Sequence, residues 1–191
     1  MSEKLTARLN QILPTITSDA FLGRRSLSGE IAFYVFDYPA ESELRIRQHI
    51  DFLLEHVPKL KPKIKLAHLN LFSFMVEYLE EEGVLEKTLD IQRVQGNEAA
   101  MEALKGLLEE RTIAQRFADV VDPNSKDLVL VSGVGSVHPL FESHTLLSNL
   151  HPIVTKPPLV MFYPGNYDGK SLRLFGRIHG DGYYRAFRLI P

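Results

Sequence analysis

Apolar residues follow two different spacings along this chain, and together they predict strands that alternate with helices. Short runs in which nearly every residue is apolar predict buried strands. These runs lie at residues 31–36, 64–69, 128–131 and 159–163. Other segments carry apolar residues three and four positions apart, which is the spacing of an amphipathic helix. These segments are residues 3–13, 40–57, 70–82, 84–121 and the stretch that follows Pro139.

Several residues mark where these helices begin and end. Asn70 stands just before one apolar-periodic segment, and its side chain is predicted to cap that helix. Pro139 is predicted to lie in the first turn of the helix that follows it. Pro58 is predicted to stop the second helix, because proline lacks the N–H that a helix interior needs. The longest helical segment is expected to break at Gly96 and again near residues 109–112.

The last part of the chain alternates apolar and polar residues, which is the spacing of a strand with one exposed face. Residues 172–178 and 183–189 are predicted to pair as an antiparallel hairpin, joined through a turn at 179–182. All-apolar strands separated by helices are typical of a parallel sheet covered on both faces. The pattern therefore predicts one α/β domain over residues 1–191. Its expected architecture is a three-layer sandwich, with a mostly parallel sheet flanked by helices and a C-terminal antiparallel hairpin extending the sheet.

Composition agrees with a globular domain and excludes several classes of protein. Hydrophobic residues make up 45% and charged residues 24% of the 191 positions, which excludes disordered and collagen-like chains. No apolar run approaches the length of about 18 residues that a membrane-spanning helix needs. Without cysteine there is no disulfide, thiolate metal site or cysteine nucleophile, and a cytoplasmic location is expected. A net charge of −2 excludes a strongly basic nucleic-acid binder but leaves room for a local basic patch.

Candidate binding residues lie in the loops that follow predicted strands, where open α/β sheets bind their ligands. Asp37 follows the first strand, and it could act as a general acid or base, bind Mg²⁺, or cap the turn before Pro39. Gly133, Gly135 and Ser136 follow the third strand. Their backbone N–H groups could form an anion-binding nest, although a tight turn into the next helix explains the glycines equally well.

A third loop resembles a phosphate-binding loop only in part. Residues 165–171 (GNYDGKS) have three residues between the glycines where a Walker A motif needs four. The segment that follows alternates like a strand, whereas a phosphate loop must open a helix. The loop is therefore predicted to be a turn. The seven histidines lack metal-ligand spacing, so no metal site is expected.

Positive charge concentrates at the end of the chain. Residues 156–191 contain six Lys and Arg residues but only two acidic ones. Arginine beside an exposed aromatic side chain is typical of protein interfaces and of nucleic-acid surfaces. The candidates for a partner surface are Arg173, Phe175, Arg177, Arg185 and Arg188. Internal pairing with Asp168, Asp181 or the acidic helices is the alternative that stays open.

Five segments spread over most of the chain resemble one known family. They read FDYPAESELRIRQHI, LAHLNLF, LVLVSGVGSVHPLFESHTLLSNL, PLVMFYPGNYDGKSLRLFG and YYRAFRLIP. In matching order, they resemble the BrxB proteins of bacterial BREX phage-defence systems. The helical region over 84–120 contributes least to the likeness. Glu142 departs from the pattern, since a basic residue is expected there.

The resemblance implies that the protein belongs to a defence system, but it does not imply a particular reaction. It implies a cytoplasmic component of an antiviral system, with a PglZ-like protein, an adenine-specific DNA methyltransferase and a large ATPase as partners. Because no complete catalytic constellation is found, we expect a non-enzymatic scaffold or adaptor without a cofactor, a metal or a membrane contact. Two alternatives stay open: a nucleotide-binding protein or sensor with a degenerate phosphate-binding loop, and a DNA-binding accessory subunit. A homodimer formed by strand pairing at the sheet edge also stays open.

Overall fold

The structure, a computed structural model, describes residues 2–23, 33–140, 143–179 and 186–191. Helices in these ranges are α1 (Ser2–Ile16), α2 (Asp19–Leu22), α3 (Glu43–Leu60), α4 (Leu71–Glu81), α5 (Leu85–Gln95), α6 (Asn97–Leu104), α7 (Glu110–Val121) and α8 (Ser143–Leu150). Strands in these ranges are β1 (Phe33–Tyr38), β2 (Leu66–Asn70), β3 (Leu128–Ser132), β4 (Leu159–Tyr167), β5 (Leu172–Leu174), β6 (Ile178–His179) and β7 (Phe187–Arg188).

The strands form one mostly parallel sheet with the order β2-β3-β4-β1-β7. Every neighbouring pair along this path is parallel. The central pair is β4 with β1, in which Phe33 lies opposite Leu159 and Tyr38 lies opposite Pro164. The first four predicted strands are all present, and the predicted parallel sheet is confirmed.

Helices cover both faces of this sheet, because successive strand residues point to opposite sides. On β1, Tyr34 and Phe36 pack with apolar residues of α1, α2 and α3. Phe33 and Val35 face the opposite side and pack with residues of α4, α6, α7 and α8. The expected three-layer α/β sandwich is therefore confirmed.

Antiparallel strands extend the sheet near its C-terminal part, as predicted, but their pairing differs in detail. β4 runs past its parallel partners and pairs with β5, which pairs in turn with β6. The predicted partnership of residues 172–178 with 183–189 is wrong, since Phe187 and Arg188 instead pair in parallel with β1. The chain turns earlier than expected, at Phe175 and Gly176, where φ is 54° and 70°. Residues 180–185, which include the rest of the predicted turn, lie outside the described residues.

Some of the residues predicted to begin, break or end helices do so in the structure, and others do not. Asn70 caps α4 as expected, because its side-chain oxygen accepts hydrogen bonds from the Phe72 and Ser73 N–H groups at 3.0 and 3.2 Å. The expected break at Gly96 is also present. Pro58 does not stop α3, which runs on to Leu60, because a proline in the last turn removes few helical hydrogen bonds.

The prediction for Pro139 is also wrong. A short 3₁₀ helix over Val134–Val137 follows β3, and α8 begins only at Ser143. Pro139 therefore lies between two helical segments and opens neither of them.

Candidate functional site

The carboxyl ends of the parallel strands lie along one edge of the sheet. The connections that follow β1 and β3 run from this edge to opposite faces of the sheet. After β1 the connection runs to α3 on one face. After β3 it runs to α8 on the other face. A crevice therefore opens above the ends of β1 and β4, which is where ligands bind in open α/β sheets.

Asp37, at the end of β1, lies in the centre of this crevice. Its Oδ1 atom is 2.6 Å from Nη2 of Arg8 on α1. Its Oδ2 atom accepts a hydrogen bond from the Tyr167 N–H on β4 at 3.2 Å. Arg8 also donates to the Asp37 carbonyl at 2.8 Å and to the Ile190 carbonyl at 3.1 Å. Asp37 and Arg8 thus join α1, β1, β4 and the last residues of the chain.

Arg188 is a second cation beside the same carboxylate. Its Nη2 atom lies 3.8 Å from Oδ2 of Asp37 and donates to the Tyr167 carbonyl. The Arg8 and Asp37 side chains are only 16% and 14% exposed, whereas that of Arg188 is 41% exposed. The sequence-predicted candidates Asp37 and Arg188 therefore meet here, and both carboxylate oxygens of Asp37 already contact protein groups.

The glycine-rich loop after β3 forms a different arrangement on the neighbouring strand. Gly133 has a φ of 74°, and a Cβ at this position would lie 2.4 Å from Oδ1 of Asn70. A Cβ on Gly135 would lie 2.9 Å from both the Phe175 ring and Pro164. Ser136 is exposed, and its N–H donates to the Gly133 carbonyl at 3.1 Å. The glycines permit close packing here, and anion binding by this loop stays a prediction.

Phe175, Arg173 and Arg177 lie together on the hairpin of β5 and β6, and we call these three residues the tip surface. Phe175 is 41% exposed although its ring lies close to Gly135, where an added Cβ would be 2.9 Å from it. Arg173 and Arg177 are exposed, and neither forms an ion pair with a described residue. Because β5 ends at Leu174, Arg173 lies in the strand, whereas Phe175 and Arg177 lie in the turn that follows it.

Three further positions singled out from the sequence are Arg188, Arg185 and Glu142. Arg188 lies beside Asp37, and it lines one cavity together with Arg173 of the tip surface. Arg185 and Glu142 lie outside the described residues, so their predicted roles have no structural counterpart.

The segment that resembles a phosphate-binding motif is only in part the predicted turn, since residues 165–167 belong to β4 and residues 168–171 connect β4 to β5. The Asp168 carboxylate accepts hydrogen bonds from the Lys170 and Ser171 N–H groups at 2.8 and 2.7 Å. It also accepts one from the Ser171 hydroxyl at 2.8 Å. These bonds to Ser171 and Lys170 favour the charged carboxylate, and they lower the pKa of Asp168 to about 2.

This pKa predicts how the turn responds to acid. A carboxyl group with a lowered pKa in the folded chain stabilises it above the ordinary Asp pKa, and that contribution is lost as pH falls through about 2. In an NMR titration, we expect the Ser171 amide signal to move with a midpoint near pH 2. The Asp168→Asn variant should lack this step. A midpoint near the ordinary value for Asp would contradict the hydrogen bonding described here.

One hydrogen bond between two strands, which joins His68 to Ser132, is not predicted by the sequence analysis. Nε2 of His68 on β2 lies 2.8 Å from the hydroxyl of Ser132, which is buried at the end of β3. Burial lowers the pKa of His68, and the nearby Asp51 charge opposes this shift. No local motif marks the pair, because only the pairing of β2 with β3 brings the two residues together.

The described part of the chain shows neither a metal-binding cluster nor a membrane-spanning helix. Its residues contain no group of three or more His, Asp or Glu side chains placed to hold a metal ion. In the ranges that the structure covers, no helix combines the length and apolarity needed to cross a membrane.

Comparison with known proteins agrees with the resemblance found in the sequence. The family model described as BREX protein BrxB matches residues 67–189. A BREX protein BrxB of Bacillus cereus (strain H3081.97) is 41% identical over 191 residues, which cover 98% of each chain. A BREX protein BrxB of Escherichia coli O9:H4 (strain HS) is 38% identical over 187 residues, which cover 98% of this chain and 92% of the relative. No solved structure matches significantly.

The fold and these relatives define an α/β component of a bacterial BREX system. The chain belongs to the BrxB family.

Proposed function

We propose that this chain is a non-enzymatic adaptor that binds another BREX protein through the tip surface of Arg173, Phe175 and Arg177. Membership in the BrxB family supports a role beside other BREX proteins. The single observation that carries the proposal is the half-exposed Phe175 ring, with exposed arginines two residues before and after it in the sequence, of which Arg173 also acts on the Asp168 charge. Aromatic and arginine side chains are the residues that most often dominate the binding energy of protein interfaces.

The position of Phe175 suits an anchor that is ordered before binding. Its ring lies close to Gly135, and its N–H donates to the Pro164 carbonyl at 2.8 Å. Two further hydrogen bonds close the turn, from Gly176 N–H to the Arg173 carbonyl and from Arg177 N–H to the Leu174 carbonyl. An anchor held in this way loses little conformational entropy when a partner binds.

The partner surface that fits this tip is acidic with an apolar pocket, because two arginines flank the ring. The candidates are the PglZ-like protein, the methyltransferase and the ATPase that the family resemblance implies. We propose that the complex forms in the cytoplasm. DNA is the competing ligand for a small arginine cluster, and its binding would weaken steeply with added salt.

The adaptor role is tested by co-expression of the full chain with each partner in turn. We expect the Arg173→Glu/Arg177→Glu variant to remain folded, by circular dichroism and thermal unfolding, and to lose co-purification of its partner. The matched control is Lys63→Glu/Lys87→Glu, which changes the net charge equally at two exposed lysines without ion pairs to described residues. This control should keep the partner.

Three results would count against the adaptor role. One is full co-purification by the arginine variant. Another is equal loss of the partner in both double variants. The third is a wild-type chain that stays alone with every partner but binds duplex DNA in a manner that salt abolishes.

A further inference from the structure

We infer that the crevice above β1 and β4 binds the phosphate group of a small molecule. This inference concerns a different site from the tip surface and does not depend on the adaptor role. Two adjoining cavities of ≈370 and ≈200 Å³ open at this point. Both are lined by Lys4, Arg8 and Asp37, and we call the joined space the switch-point cleft. Its place in the fold is the one at which open α/β sheets bind ligands.

The charges around the switch-point cleft favour an anion. Lys4, Arg8 and Arg188 line its cavities, whereas Asp37 is the one acidic side chain that lines either of them among the described residues. Among the lining side chains, one carboxylate therefore faces three cations, and Pro191 lines the smaller cavity beside them. Because Arg8 is paired with Asp37, the remaining positive charge lies on Lys4 and Arg188, and the Arg188 side chain is 41% exposed.

Hydrogen-bond donors also remain available in the cleft. Nε and Nη1 of Arg188 make no hydrogen bond with a described residue, since its contacts with Tyr167 and Asp37 both use Nη2. Lys4, one helical turn before Arg8 on α1, is exposed and has no ion pair with any described residue. A guanidinium together with an ammonium group suits a phosphate, which offers several acceptor oxygens and more than one negative charge.

A bound cation fits the cleft poorly, although Asp37 lies at its centre. Oδ1 of Asp37 contacts Arg8, and Oδ2 accepts from the Tyr167 N–H and lies near Arg188. A metal ion would have to displace these donors and approach three positive charges. The cleft is therefore assigned to phosphate and not to Mg²⁺.

Calorimetry with the full chain tests this site, using inorganic phosphate, pyrophosphate and ATP as probes without added metal. We expect saturable binding of pyrophosphate in the millimolar range or tighter. The Lys4→Glu variant should weaken it about tenfold, since an attractive charge becomes a repulsive one. The matched control Lys87→Glu, at an exposed lysine of α5, should bind as wild type. Tighter binding of ATP than of pyrophosphate would support a nucleotide as the ligand, and equal binding would support a simpler phosphate compound.

The inference is overturned if neither pyrophosphate nor ATP reaches saturation at millimolar concentration. It is equally overturned if Lys4→Glu and Lys87→Glu weaken binding to the same extent, because that result would indicate general attraction to the chain. Lys4 is exposed, so Lys4→Glu should unfold at the wild-type temperature, and this measurement confirms that a loss of binding is local.

Discussion

Replacing Asp37 with alanine is expected to lower the free energy of unfolding by about 2–3 kcal/mol, because it removes one partner of a largely buried ion pair. The Arg8 guanidinium would lose its 2.6 Å contact with Oδ1 while it remains mostly buried. The Tyr167 N–H would lose its acceptor as well. Urea unfolding followed by circular dichroism measures the change.

A second ion pair on the surface provides the matched control. Asp90 lies 2.7 Å from Arg93, and both side chains are more than two-thirds exposed. Exposed pairs contribute between zero and about 1 kcal/mol, so Asp90→Ala should change stability far less than Asp37→Ala. Equal effects of the two substitutions would show that Asp37 does not join the elements around it in the way described.

Replacing Gly165 with alanine is expected to cost about 3 kcal/mol and to displace the hairpin that carries the tip surface. Gly165 lies where β4 turns from parallel to antiparallel pairing, opposite Leu174. A Cβ at this position would lie 2.1 Å from the Arg173 carbonyl oxygen, which is backbone and can move only if β5 moves. Partner co-purification should therefore fall together with stability.

Gly106→Ala is the control for the effect of adding a methyl group. A Cβ at Gly106 meets no atom within 4 Å, and φ there is not in the left-handed region. Unfolding temperature and co-purification should both stay at wild-type levels in this variant. A Gly165→Ala chain with wild-type stability and a wild-type partner yield would contradict the close approach of β4 and β5.

The layers of this fold could be predicted from the sequence because local patterns determine them. An all-apolar run such as 128–131 indicates a buried strand by itself, and Asn70 indicates a helix start by itself. Strand order depends on contacts between distant segments. β1 pairs with β4 and β7, which follow it by more than 120 residues, and no local pattern indicates that choice.

Single residues of the candidate site can be predicted from the sequence, but the contacts between them cannot. Asp37 was identified from its place after a strand, but its partner Arg8 lies 29 residues earlier on a helix that local patterns show only as amphipathic. The sequence does not indicate the turn at Phe175, because phenylalanine is not a typical turn residue. In the structure Phe175 nevertheless has a φ of 54°. The predicted turn at 179–182 contains two glycines and gave a stronger local signal.

Hydrogen–deuterium exchange of the full chain, alone and in complex with a co-purified BREX partner, tests the adaptor role most directly. The account predicts slower exchange on binding over residues 172–177, which form β5 and the turn of the tip surface. Peptides from α5, which carries the Lys87 control position, should exchange at the same rate in both states. Slower exchange confined to other regions, with no change over residues 172–177, would contradict the proposal that the tip surface binds the partner.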